Sequence, residues 1–209
     1  KNTCFSDSDF LYPGLLITAG NQLIVEPGVT VKFLSHGDWI RVDGDLIAAG
    51  SENSPIVFTS LNDNVYGGIT NNNDASSAPE SGDWGGIYVS DSGKLVVDNA
   101  TFSYSGYFYG SNYSYLTGCW GDRFEYGTDT IITASTYSEL SLTNSVFKNS
   151  AGYGLKVYTD NHIIENNSFA NIDSYAVYNA NIQAITINAH NNWWGSSTGP
   201  SPYGSGNGI

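Results

Sequence analysis

The chain of 209 residues carries 20 acidic and 7 basic side chains, a formal charge of −13. This balance excludes nucleic acid as a partner, because gripping phosphates takes clustered Lys and Arg. Only 13% of residues are charged while 14% are aromatic, so Asn, Ser, Thr, Gly and Tyr must cover the surface of a substantial core, and no run reaches the roughly 18–20 apolar residues that span a bilayer.

The sequence begins at Lys1 with no basic-then-apolar leader and reads as a mature or excised piece of a secreted protein. Cys4 and Cys119 are its two cysteines. A disulfide between them would suit an oxidising compartment; two unpaired buried thiols are the other reading. The N-terminal third then alternates apolar and polar residues over short runs. These predict strands near Leu23–Val25, Val29–Phe33, Ile40–Val42, Leu46–Ala48 and Ile56–Thr59, with Pro27-Gly28 and Asp43-Gly44 as turns.

Residues 60–83 break this rhythm. They are polar and glycine-rich, and Asn62, Asp63, Asn64 and Asp74 offer the oxygen ligands that suit calcium. The same residues are also ordinary turn formers. Alternation resumes at Ile87–Val89 and in KLVVDNATFSYSG (Lys94–Gly106). Residues 106–129 form a second irregular segment. Tyr107, Tyr109, Tyr113, Tyr115 and Trp120 are its candidate contacts with a glycan or a partner protein, since exposed rings stack on sugars and anchor interfaces. A loop folded over the scaffold with its rings buried is the alternative. Sequons at Asn99, Asn112 and Asn166 permit glycosylation, although such triplets arise readily by chance in a chain this rich in Asn and Ser.

Beyond this segment two stretches repeat. Leu142–Val157 and Ile164–Asn179 align at an offset of 22. Leu142 falls on Ile164, Asn144 on Asn166, Phe147 on Phe169, Asn149 on Asn171, Tyr153 on Tyr175 and Leu155 on Val177. Upstream, Asn99 and Phe102 match Asn144 and Phe147 at an offset of 45, and downstream Asn191 and Trp194 match Asn166 and Phe169 at 25. A fixed short period marks a stacked-repeat architecture, and no stretch shows a sustained helical period with end signals.

Strands of three to six residues, about three per repeat, fit a coil in which each strand lies parallel to its counterpart roughly 4.8 Å along the axis. Like residues then stack in files. Phe147, Phe169 and Trp194 are expected to form an aromatic file, and Leu142 with Ile164 an aliphatic one. Asparagines at the bends tolerate a left-handed backbone, and their amides can link one circuit to the next.

The stretches LIVEPGVTVKF, GDLIAAG followed by SPIVFTS, SGDWGGIYV and the terminal NNWWGSSTGPSP resemble right-handed parallel β-helix repeat proteins of the pectin-lyase-like kind, as found in large secreted and cell-surface proteins. The resemblance implies an all-β fold: one right-handed parallel β-helix over residues 1–209, with two long inserted loops (60–83 and 106–129) and a C-terminal tail (196–209). It implies less about function, because this fold carries lyases, hydrolases, adhesins and purely structural domains.

Lyases of this family use an Arg or Lys beside calcium held by acids, and hydrolases use grouped aspartates. Here the nearest fragments are His36-Gly37-Asp38 in a turn and Lys156 with Asp160 and Glu165, and neither gathers the partners such chemistry needs. His162 aligns with Leu140 and reads as a core or turn residue. No catalytic residue and no obligate cofactor are therefore expected. The expected role is non-catalytic and extracellular, at a cell surface: structural, adhesive or self-assembling end to end, with carbohydrate or other surface proteins as partners. A polysaccharide lyase or hydrolase on the same scaffold is the alternative.

Overall fold

Short runs of alternating polarity, separated by turns too small to form helix, become short strands. The computed structural model describes residues 15–71, 76–106, 129–181 and 186–208. Among them are sixteen strands and no helix. In chain order these are β1 (Leu15–Ile17), β2 (Gln22–Val25), β3 (Thr30–Phe33), β4 (Ile40–Val42), β5 (Asp45–Ala49), β6 (Ile56–Ser60), β7 (Ile87–Val89) and β8 (Lys94–Asp98). They continue with β9 (Ala100–Ser103), β10 (Thr130–Ala134), β11 (Glu139–Thr143), β12 (Val146–Ser150), β13 (Tyr153–Val157), β14 (His162–Glu165), β15 (Ser168–Ile172) and β16 (Val177–Asn179).

Every third strand pairs. The first sheet runs β1-β4-β7-β10-β13-β16, the second β2-β5-β8-β11-β14 and the third β3-β6-β9-β12-β15. All strand pairings are parallel, as Phe147 opposite Phe169 and Leu142 opposite Ile164 illustrate. The chain thus winds through three stacked parallel sheets, as a β-helix solenoid does. The strands expected in the N-terminal third lie within two residues of β2 to β6. β1 and β10 were not anticipated.

Inward side chains meet their own kind one circuit away. Phe58, Phe102, Phe147, Phe169 and Trp194 stack with centroids 4.7, 5.3, 5.2 and 5.3 Å apart. All five are buried, and each fully buried ring contributes about 1.5–3 kcal/mol, with stacking adding roughly 0.5–1.5. In the second sheet, Leu46, Leu95 and Leu140 form one aliphatic file and Ala48, Val97, Leu142 and Ile164 another. His162 stands at the foot of the leucine file, in register with Leu140. Its Nδ1 lies 3.1 Å from the Thr159 carbonyl and its Nε2 accepts from the Asn188 amide at 3.1 Å, so it belongs to the last turn of the coil.

The corners differ. Between the second and third sheets the later circuits turn on one asparagine, with Asn99, Asn144, Asn166 and Asn191 at φ of 48, 49, 58 and 57°. A second left-handed file, Tyr104, Asn149 and Asn171 at 65, 55 and 53°, ends the strands of the third sheet. Asn171 Nδ2 donates to Asn149 Oδ1 at 3.0 Å, the rung expected of such amides.

At the first corner the rung belongs to the next residue instead. The amide of Ala100 donates to Ser145 Oγ, that of Ser145 to Asn167 Oδ1, and that of Asn167 to Asn192 Oδ1, at 3.1, 3.0 and 2.8 Å. Asn167 and Asn192 return Nδ2 to the carbonyls of Leu142 and Ile164 at 2.9 and 2.8 Å. The reason is geometric: the bend residue points its side chain outward, and the following residue points inward.

Candidate functional site

Connections from the third sheet back to the first share one corner, and the two irregular segments are such connections in the sequence, joining β6 to β7 and β9 to β10. Tyr107, Tyr109, Tyr113, Tyr115, Trp120, Cys119 and Asn112 fall within 107–128, and Cys4 and Asp74 within 1–14 and 72–75, all outside the described residues.

The described start of the first segment, 61–71, lies along the outer face of the third sheet rather than standing clear of the coil. Asp63 is 1% exposed. Its carboxylate accepts from Thr59 Oγ1 at 2.7 Å and from the Val65 amide at 3.0 Å, and Thr59 reaches Ser103 Oγ one circuit on at 3.0 Å. Lys32 Nζ donates to the carbonyls of Asp63 and Gly68 at 2.8 and 2.6 Å. Lys148 Nζ lies 5.5 Å from the centre of the Tyr66 ring. The segment is therefore tied down from the first circuit to the fourth, and an ammonium already sits against two of its carbonyls. Asp83 closes the far end, accepting from Ser60 Oγ at 2.6 Å and from the Glu80 amide at 3.1 Å. Trp84 then stacks on Phe33 at 4.0 Å.

Other acids are engaged in the same way. Asp38, of the His36-Gly37-Asp38 fragment, caps its turn by accepting from the amides of Leu34 and Ser35 at 3.0 and 2.9 Å. Burial pushes the Asp98 carboxyl up, but hydrogen bonds from Asn144, Thr143 and Asn99 outweigh this and hold it below its ordinary value. Among the described residues no group of three or more His, Cys, Asp or Glu converges on a common point. The two described sequon asparagines differ. Asn99 is half-buried and donates to Asp98 at 2.9 Å, whereas Asn166 is exposed.

What the corner presents outward is tyrosine. Tyr153 opens β13, Tyr175 lies in the turn entering β16 and Tyr178 lies within β16. Their ring centroids form a triangle with sides of 6.1, 5.1 and 6.0 Å. Tyr175 and Tyr178 remain 44% and 38% exposed.

No protein-family model matches the chain, and comparisons with curated proteins and with solved structures give no match either.

The tyrosine triangle had a signal in the sequence, since Tyr153 and Tyr175 share the 22-residue offset. The offset alone does not say whether a repeated ring faces the core, as Phe147 does, or the solvent. Tyr178 carries no repeat partner and could not be found this way.

Proposed function

We propose that this chain is a non-catalytic extracellular β-helix domain, right-handed and of the pectin-lyase-like kind, with a structural and adhesive role at a cell surface. The observation that carries the reading is where the acids go. Asp38, Asp63, Asp83 and Asp98 accept hydrogen bonds that fix turns, strap the 61–71 segment and join circuits. A general acid or a metal ligand needs a carboxylate that faces substrate, whereas these are engaged within the chain, by the amides of Leu34, Ser35, Val65 and Glu80 and by the side chains of Thr59, Ser60, Thr143 and Asn144. The left-handed asparagine corner and the continuous aromatic file suit a stiff spacer that presents one corner outward.

Incubation with acidic and neutral polysaccharides, with and without calcium, tests this reading. No new reducing ends and no unsaturated products are expected. Release of either would replace it with a polysaccharide hydrolase or lyase on the same scaffold.

A further inference from the structure

We infer that Tyr153, Tyr175 and Tyr178 form a stacking surface for a neutral glycan chain; the inference rests on the adhesive reading above. The three rings come from neighbouring circuits with centroids 5.1 to 6.1 Å apart, Tyr153 stacked on Tyr175 and Tyr178 tilted against both, so they form one cluster whose exposed rings are Tyr175 and Tyr178. That surface is held from behind. The Tyr175 carbonyl accepts from the Gly154 amide at 2.9 Å, and the Ala176 amide donates to Gly208 in the tail at 2.8 Å. A Cβ at Gly208 would lie 2.8 Å from Tyr175 Cδ1, so the tail backbone runs directly against the ring. A ring pinned in this way surrenders little freedom when a ligand arrives.

The chemistry selects the ligand. A tyrosine offers a flat apolar face and one hydroxyl at its edge, at small entropic cost. A sugar ring offers the complement, a C–H face with hydroxyls around it. The charge selects among glycans. The chain carries −13, and against it Lys156, in register with Tyr178, sets a single positive charge on the same outer face. A polyanionic glycan would meet a repulsive field with no basic cluster to receive it, so the polymer is uncharged. The second irregular segment is rooted beside these rings, because Gly106 abuts Ser150 and the Tyr153 amide donates to the Asp129 carbonyl at 2.6 Å.

The test is affinity electrophoresis of the whole chain in gels containing a β-glucan, a xylan or a galactomannan, with polygalacturonate as the acidic control. Retardation by at least one neutral polymer is expected. In the double variant Tyr175→Ala/Tyr178→Ala the dissociation constant should rise roughly tenfold per ring, about a hundredfold together. Tyr175→Phe/Tyr178→Phe, which keeps the ring faces, should retain most of the binding. Both positions are exposed, and a thermal melt of each variant confirms that the fold survives. Equal retardation of wild type and the alanine variant overturns the inference and leaves the non-catalytic reading standing. Failure of the wild type to bind every neutral polymer, or a preference for polygalacturonate, overturns it as well. Cleavage of a polymer that is still retained through the tyrosines overturns the non-catalytic reading instead.

Discussion

Two asparagines adjacent in sequence do different work in this coil. Asn166 bends the chain at φ 58° with its side chain exposed. Asn167 is 2% exposed, accepting from the Ser145 amide and donating to the Leu142 carbonyl. Removing the second takes the acceptor from the buried Ser145 amide and a donor from the Leu142 carbonyl, at about 1–3 kcal/mol. Removing the first asks another residue to hold a left-handed backbone, at roughly 1–2 kcal/mol, a penalty glycine escapes. Urea titration should therefore find Asn167→Ala the more destabilising by at least about 1 kcal/mol and Asn166→Gly near neutral; the reverse order would contradict the ladder. Asp98 adds a pH dependence. Its folded-state carboxyl is lowered, so its contribution is present above the ordinary carboxylate value and disappears as pH falls through the folded one. Because Asp98 is only part-buried, the contribution stays below about 1 kcal/mol. The stability gap between wild type and Asp98→Asn should close below about pH 4, and a gap that widened there would reverse the sign of the argument.

At the scale of elements, parallel in-register strands copy sequence into space. Phe102, Phe147 and Phe169 recur because each stacks on the last, and that recurrence made the sheets readable before any coordinates. Phe58 belongs to the same file but carries no repeat signal, because its circuit turns over residues 50–55 with no left-handed asparagine to mark the corner. The ladder was displaced by one residue for a related reason: a repeat fixes which positions correspond, while inward or outward direction follows from the bend. The 61–71 strap obeys no repeat, so its course over the third sheet was not legible, and neither was the role of Lys32. With the Lys32 ammonium against the Asp63 and Gly68 carbonyls and the Asp63 carboxylate held by Thr59, the described part of the segment is anchored by the chain's own groups. Calcium or a chelator should leave the thermal midpoint unchanged. A midpoint that climbs with calcium concentration would show the ion binding the folded state, with Asn62, Asp63 and Asn64 as its candidate ligands.

For the whole molecule, the decisive property of a coil is what closes its ends, since unpaired edge strands invite further strands. The C-terminal end is covered over the third sheet. Trp194 lies on Phe169, the Asn207 amide donates to the Trp194 carbonyl at 2.6 Å, and Asn207 Nδ2 reaches the Ile172 carbonyl at 3.2 Å. The first circuit is more open among the described residues, with Leu15, Leu16, Ile24 and Val29 between 39% and 55% exposed. One closed end is enough to stop a filament, because head-to-tail growth needs both faces of every copy. Association through the ends should therefore halt at pairs, and sedimentation at rising concentration should show monomer and dimer without longer species. Truncation after Gly195 removes Asn207 and the segment packed against Tyr175. It should lower the thermal midpoint and, by baring the second end, shift the population to larger assemblies. If the truncated chain instead kept both its midpoint and its size distribution, the tail would be ornament and the end it covers would be closed by the coil itself.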